Sequence, residues 1–213
     1  MKNIPLFTTE LGVASLTLEE IAYKQEAYIT VHDTSDLSVF IDECAGFCRA
    51  AGATDVFVSG SFTDERYPLY ARIIRMACDR STEWETDCKS VPVTERSSDE
   101  WREIYNRKMR NVPCSKTLTV TEATKLISEG TGFFVYRDTE LLGIGKVTGN
   151  QLDAIAGCIP GVGESVFKAL MQLVKEDRVY VDVAEENTAA MRLYTSLGFR
   201  KMDEIRKWFR YEK

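Results

Sequence analysis

Apolar residues recur along this chain in short bursts, and their period switches between two and three-to-four. In the first third, Val13-Ala-Ser-Leu-Thr-Leu and Ala27-Tyr-Ile-Thr-Val alternate as strands do. From Leu37 to Ala51 the spacing becomes helical, with Leu37, Phe40, Ile41, Cys44, Phe47 and Cys48 on one side and Gly52 as the stop. Asp55-Val-Phe-Val-Ser reads as a buried strand. The pattern predicts a further helix from Pro68 to about Met76, with Pro68 in its first turn. Residues 79–92 change character, and the polar, charged run Asp79–Ser90 reads as a connection between halves.

Beyond that connection the punctuation is sharper. A strand over Val91–Thr94 is followed by a helix from Ser98 to about Met109, and a second helix, Thr121–Glu129, stops at Gly130. Three strands then follow in a tight meander, at Gly132–Arg137, Leu141–Val147 and Leu152–Gly157, whose short turns favour antiparallel neighbours. A helix from Gly163 to about Lys175 leads to the strand Val179–Val183, and strand–helix–strand in that order implies a parallel crossover. The expected architecture is α/β (α+β): a mixed central sheet, antiparallel and then parallel, with helices on both faces. The expected division is residues 1–85 and 90–213.

Two segments carry candidate chemistry. Cys158-Ile-Pro-Gly161-Val162-Gly163-Glu164-Ser165 joins a strand to a helix. Glycines there permit close backbone approach, and a helix start offers free N–H groups to an anion. Asn187-Thr-Ala-Ala190-Met-Arg-Leu-Tyr194-Thr-Ser-Leu-Gly198-Phe199 follows the strand at Val179. Asn187 is a favoured N-cap and Gly198 a favoured terminator. Asn187, Ala190, Met191 and Tyr194 share one helix face and can line a groove for a long, thin ligand.

That second segment, with the Val-x-Val strand before it, resembles the C-terminal signature of the GNAT superfamily of N-acetyltransferases. The resemblance is strong over Phe133–Phe199, extends back to about Val91, and is weaker over the first 85 residues. It implies acetyl-CoA as cosubstrate and an amine of a small molecule or peptide as acceptor. It further implies that the N–H groups of Val162, Gly163, Glu164 and Ser165, after the turn at Gly161, hold pyrophosphate. Backbone groups of Ala154, Ile155, Ala156 and Gly157 would pair with pantetheine, Asn187 would bond it, and Ala190 would let it pass. Tyr194 would protonate the departing thiolate, and an N–H near Ile155 would stabilise the oxyanion. Cys158 stands where the family usually has Gln or Arg, the loop lacks basic residues, and Glu164 adds a negative charge that Lys168 could offset. Asp153, Asp182 and Glu185 are candidate bases. The first region also looks like a truncated copy: Val39-Phe40, a helix and Val56-Phe-Val parallel Val166-Phe167, a helix and Val179-Tyr-Val, with Thr63 and Tyr70 at the Asn187–Tyr194 offset. A tandem, partly degenerate arrangement is therefore expected.

Composition narrows the alternatives. A net charge of −6 disfavours nonspecific binding to nucleic acid or anionic membrane. No apolar run approaches a membrane span and the first residues lack a secretion-signal core, so a cytoplasmic protein is expected. The six cysteines form no Cys-x-x-Cys pair and His32 is the single histidine, which argues against a metal site and leaves Cys158 without a partner base. Two other readings remain open: a non-catalytic acyl-CoA-binding or regulatory module, and a partner or homodimer surface on residues 1–85.

Overall fold

The computed structural model describes residues 2–61, 66–79 and 84–212. In chain order its elements are β1 (Ile4–Thr9), β2 (Gly12–Thr17), α1 (Ile21–Lys24), β3 (Glu26–Thr34), α2 (Leu37–Ala50), β4 (Asp55–Ser59), β5 (Leu69–Asp79) and β6 (Lys89–Pro92). They continue with α3 (Ser98–Met109), α4 (Val120–Glu129), β7 (Gly132–Arg137), β8 (Glu140–Thr148), β9 (Gln151–Gly157), α5 (Gly163–Met171), β10 (Arg178–Ala184), α6 (Thr188–Ser196) and β11 (Arg200–Arg210). The chain divides into two compact units. The first is Met1–Ile73 with Glu204–Lys213, and the second is Ile74–Asp203.

In the first unit β1, β2 and β3 form an antiparallel meander, and β4 then pairs parallel to β3 after the α2 crossover. The end of β11 closes this group, with Phe209 opposite Val58 and Arg210 opposite Phe57. The helical spacing read over Leu37–Ala51 is realised: Phe40, Ile41, Cys44, Ala45 and Cys48 are the buried face of α2 and pack on Leu16, Ile29, Val56 and Val58. Asp36 caps the helix by accepting the Val39 N–H.

The helix expected over Pro68–Met76 is instead strand β5. Leu-Tyr-Ala-Arg-Ile-Ile-Arg-Met satisfies both periods, and the adjacent β-branched Ile73 and Ile74 favour the extended one. Buried Ile74 and Met76 supply the period-two signal that decides it. Tyr70 therefore lies on a strand, and Thr63 falls outside the described residues.

In the second unit the strand order is β5-β10-β9-β8-β7-β6. Pairs β7/β8 and β8/β9 are antiparallel and β9/β10 is parallel, as the turn lengths and crossover imply, and β6 joins β7 antiparallel after the two intervening helices. Helices cover both faces. Val166, Phe167 and Leu170 of α5 pack with Tyr194 and Phe199 on one core, and Trp101, Ile104 and Leu126 of α3 and α4 pack with Phe134, Ile144 and Ala156 on another. Trp101 is fully buried, and its indole N–H donates to the Phe133 carbonyl at 3.0 Å. The α4 start carries a capping box: Thr119 accepts the Glu122 N–H while the Glu122 carboxylate accepts the Thr119 N–H. Gly145 lets α5 approach the sheet, since a Cβ there would lie 2.2 Å from Leu170 Cδ1.

Candidate active site

The site is built where two neighbouring strands part. β9 pairs with β10 through Gln151–Tyr180 and Leu152–Val181, and the pairing stops there. On its other side β9 is paired along its whole length, from Thr148–Gln151 to Gly143–Gly157. The Cys158 N–H donates to the Leu142 carbonyl of β8 at 2.7 Å. Main-chain groups alternate sides along a strand. Gly157 and Ile155 therefore direct their N–H and C=O groups away from β8, towards the opening, whereas Ala156 and Ala154 spend theirs on β8. Of Ala154, Ile155, Ala156 and Gly157, two turn their backbone groups towards the opening and two are paired with β8.

The loop after β9 ends in an open helix start. Gly161 has φ +82, a conformation that favours glycine. Val162 is the N-cap of α5 and its side chain makes no capping bond; the first helical bond runs from the Val166 N–H to the Val162 carbonyl. The Val162 N–H closes the Pro160-Gly161 turn towards the Ile159 carbonyl, and among the described residues the N–H groups of Gly163, Glu164 and Ser165 precede the first helical bond and meet no acceptor. Free donors at a helix start, together with the helix dipole, suit an anion. Gly163 abuts α6: a Cβ there would sit 3.2 Å from Leu193 Cδ2.

On α6, Asn187 is the N-cap, and its side chain accepts the Ala190 N–H at 3.2 Å. That bond uses Oδ1 and leaves the Nδ2 donor available. Ala190 and Met191 are partly buried against the same core as Ile155 and Val162. Tyr194 is buried in the same core as Leu197 and Phe199, with its ring centroid 5.5 Å from that of Phe199. Burial pushes its phenol up to about 12, so the proton stays on through the neutral range.

The charges around the loop are mostly spoken for. Glu164 pairs with Lys168 at 2.8 Å, the offset expected from their i, i+4 spacing. Arg137 pairs with Asp87 at 2.9 Å and donates to Ser165 Oγ at 3.2 Å; these residues line a cavity of about 1070 Å³ that also borders Trp84 and Gln172. The three carboxylates named as bases are also engaged. Asp182 is held by Arg75 through two bonds of 2.8 Å, Asp153 by Thr148 and Lys146, and Glu185 by Lys201. Burial raises the Cys158 thiol pKa, against the pull of Lys108 and Arg107, which makes it a poor nucleophile. The sequence reading did not find Lys108, whose ammonium donates to the Cys158 carbonyl at 3.2 Å. That contact spans fifty residues and has no local signature.

The first unit repeats the strand–helix–strand plan with the opposite outcome. There β3 and β4 stay paired from Glu26–Asp55 to Thr30–Ser59, and the α2 start is filled by the Asp36 carboxylate. Among the described residues, this β3–α2–β4 segment therefore has neither a parted strand pair nor an uncapped crossover helix.

The fold is shared with solved structures of GCN5-related N-acetyltransferases. Residues 160–209, which span the Gly161–Gly163 turn and the Asn187–Phe199 segment, match the family described as FR47-like protein. No curated protein matches the chain. Among solved structures, a functionally unknown conserved protein from Staphylococcus epidermidis aligns with TM-score 0.63 at 10% identity, covering 96% of this chain and 91% of the other. A GCN5-related N-acetyltransferase from Sphaerobacter thermophilus aligns with TM-score 0.57 at 14% identity over 94% of this chain and 76% of that one. A tandem GNAT protein from the clavulanic acid biosynthesis pathway gives 0.54 at 12% identity over 94% and 78%. No helix among the described residues is long and apolar enough to cross a membrane.

Proposed function

We propose that the chain is an acetyl-CoA-dependent N-acetyltransferase acting on an amine of a small molecule or peptide. The observation that carries this reading is the open edge of β9 at Ile155 and Gly157 leading into the uncapped start of α5. A pantetheine arm offers amides that an open strand edge can pair with, and a pyrophosphate suits the three free N–H groups at the start of α5. Asn187 Nδ2 donates to the arm as it passes Ala190.

The reaction is direct attack. The neutral amine nitrogen bonds to the thioester carbonyl carbon while the Ile155 N–H takes up the charge on its oxygen. The carbon–sulfur bond then breaks and the nitrogen loses a proton to solvent in the opening. Tyr194, kept protonated by burial, donates to the departing sulfur and recovers its proton from solvent.

A second reading is favoured by one observation: Asp153, Asp182 and Glu185 are all tied in ion pairs, as suits an acyl-CoA-binding module without a base. Calorimetric titration with acetyl-CoA, beside a Gly163→Glu variant, tests the site common to both readings. Binding that the variant loses is the expected result; no binding by the wild-type chain would sink both. A screen of amines for thiol release then separates them, because a binding module releases none.

A further inference from the structure

The loop after β9 contains no basic residue, yet a cation is delivered to it from elsewhere. Lys108, in the last turn of α3, places its ammonium 3.2 Å from the Cys158 carbonyl at the start of the loop. Arg107 precedes it, and both act on the Cys158 thiol as nearby positive charges, opposed by Glu100.

The state of Lys108 differs from that of Lys168, Arg137 and Lys146 around the loop. Lys168 is neutralised by Glu164, Arg137 by Asp87 and Lys146 by Asp153. Lys108 is exposed and, among the described residues, has no carboxylate within ion-pair distance; its bond is to a neutral carbonyl. A basic residue in the last turn of a helix does complement the helix dipole. That role requires no reach to a particular carbonyl on another element, and the Cys158 contact goes beyond it.

We infer that Lys108 supplies from α3 the cation missing from the loop, and that it moves from the Cys158 carbonyl to the pyrophosphate of the acetyl donor. The inference rests on the proposed acetyl-CoA site and names a specificity residue within it. Exchanging a carbonyl for a phosphate oxygen strengthens the bond, since a charge-assisted pair replaces an ion–dipole contact.

The test is a graded charge series, Lys108→Arg, Lys108→Gln and Lys108→Glu, titrated with acetyl-CoA and with acetyl-pantetheine, which lacks the pyrophosphate. Arg should bind acetyl-CoA as the wild-type chain does. Gln should bind it about 10- to 100-fold more weakly, and Glu more weakly still. Affinity for acetyl-pantetheine should stay constant across the series, and the exposed position should leave thermal melting unchanged. Equal acetyl-CoA affinity in all four proteins overturns the lysine assignment and leaves the site intact. A parallel loss for acetyl-pantetheine also overturns it, because Lys108 would then only brace the loop. No acetyl-CoA binding by the wild-type chain overturns the assignment together with the site.

Discussion

Gly143 offers the sharpest test of how β9 is held open. It lies on β8 opposite Gly157, and a Cβ added there would come 2.5 Å from the Ala156 carbonyl oxygen, 2.7 Å from Val166 Cγ2 and 3.2 Å from the Gly157 Cα. Two of those neighbours are backbone, so relief by a rotamer change is closed, and the strands must separate by about an ångström to restore normal contact. In Gly143→Ala the overpacking costs about 2 kcal/mol, the stretched ladder about 1 kcal/mol, and reduced freedom of the unfolded chain returns about 0.7 kcal/mol. The expected net loss is about 2 kcal/mol, set by a single methyl group. Urea unfolding followed by tryptophan emission in a Trp208→Phe background reports the second unit, because the remaining tryptophans are Trp84 and Trp101. The displaced edge at Ile155 and Gly157 should also weaken acetyl-CoA binding. An unchanged unfolding midpoint together with unchanged affinity would refute both the packing argument and the placement of the ligand edge.

Other outcomes follow from the same geometry. Tyr194→Phe should keep acetyl-CoA affinity and lose about 100-fold or more in turnover, measured by thiol release; unchanged turnover removes its role as proton donor. The raised Tyr194 pKa has a stability signature. The protonated phenol is favoured in the folded state, so its contribution is full below the unfolded value near pH 10 and is lost as pH rises towards about 12. Alkaline unfolding of Tyr194→Phe should accordingly be less steep across that window. Thr119→Ala should cost about 1 kcal/mol by removing the α4 capping box, read from unfolding midpoints. Titration of the wild-type chain should saturate at one acetyl-CoA per chain, and two equivalent sites would contradict the account of the first unit.

Features that depend on nearest neighbours were legible before the structure. Asn187 and Gly198 bracket α6, with Gly198 at φ +86, and the meander turns set β7, β8 and β9. Segments that satisfy two periods were not. β5 fitted a helical pattern, and β11 escaped notice because Arg200–Arg206 is exposed throughout, so no alternation marks it. At the site, the loop and the α6 face could be read, but the state of the charges could not. Asp182 looks like an available base until Arg75, more than a hundred residues away in sequence, is seen to hold it. Lys108 looks like an ordinary helix-end lysine until its carbonyl partner is known.

The two units show what a local sequence change does to one supersecondary plan. Each runs strand, crossover helix, parallel strand. In the second, Pro160, Gly161 and Gly163 shape the turn between β9 and α5, and no side chain there can accept a helix-start N–H at the cap. In the first, the turn is Ser35-Asp36, and the Asp36 carboxylate occupies the position an incoming phosphate would need. A built-in carboxylate pays no entropy of association, so a free phosphate cannot displace it at ordinary concentrations. The paired β3 and β4 also close the edge along which a pantetheine arm would lie. Removing the cap alone should therefore not create a second site: Asp36→Ala frees one helix start but leaves the strand edge zipped. On the proposed reading, acetyl-CoA binding needs both conditions together, and among the described residues the β9–α5–β10 segment meets them.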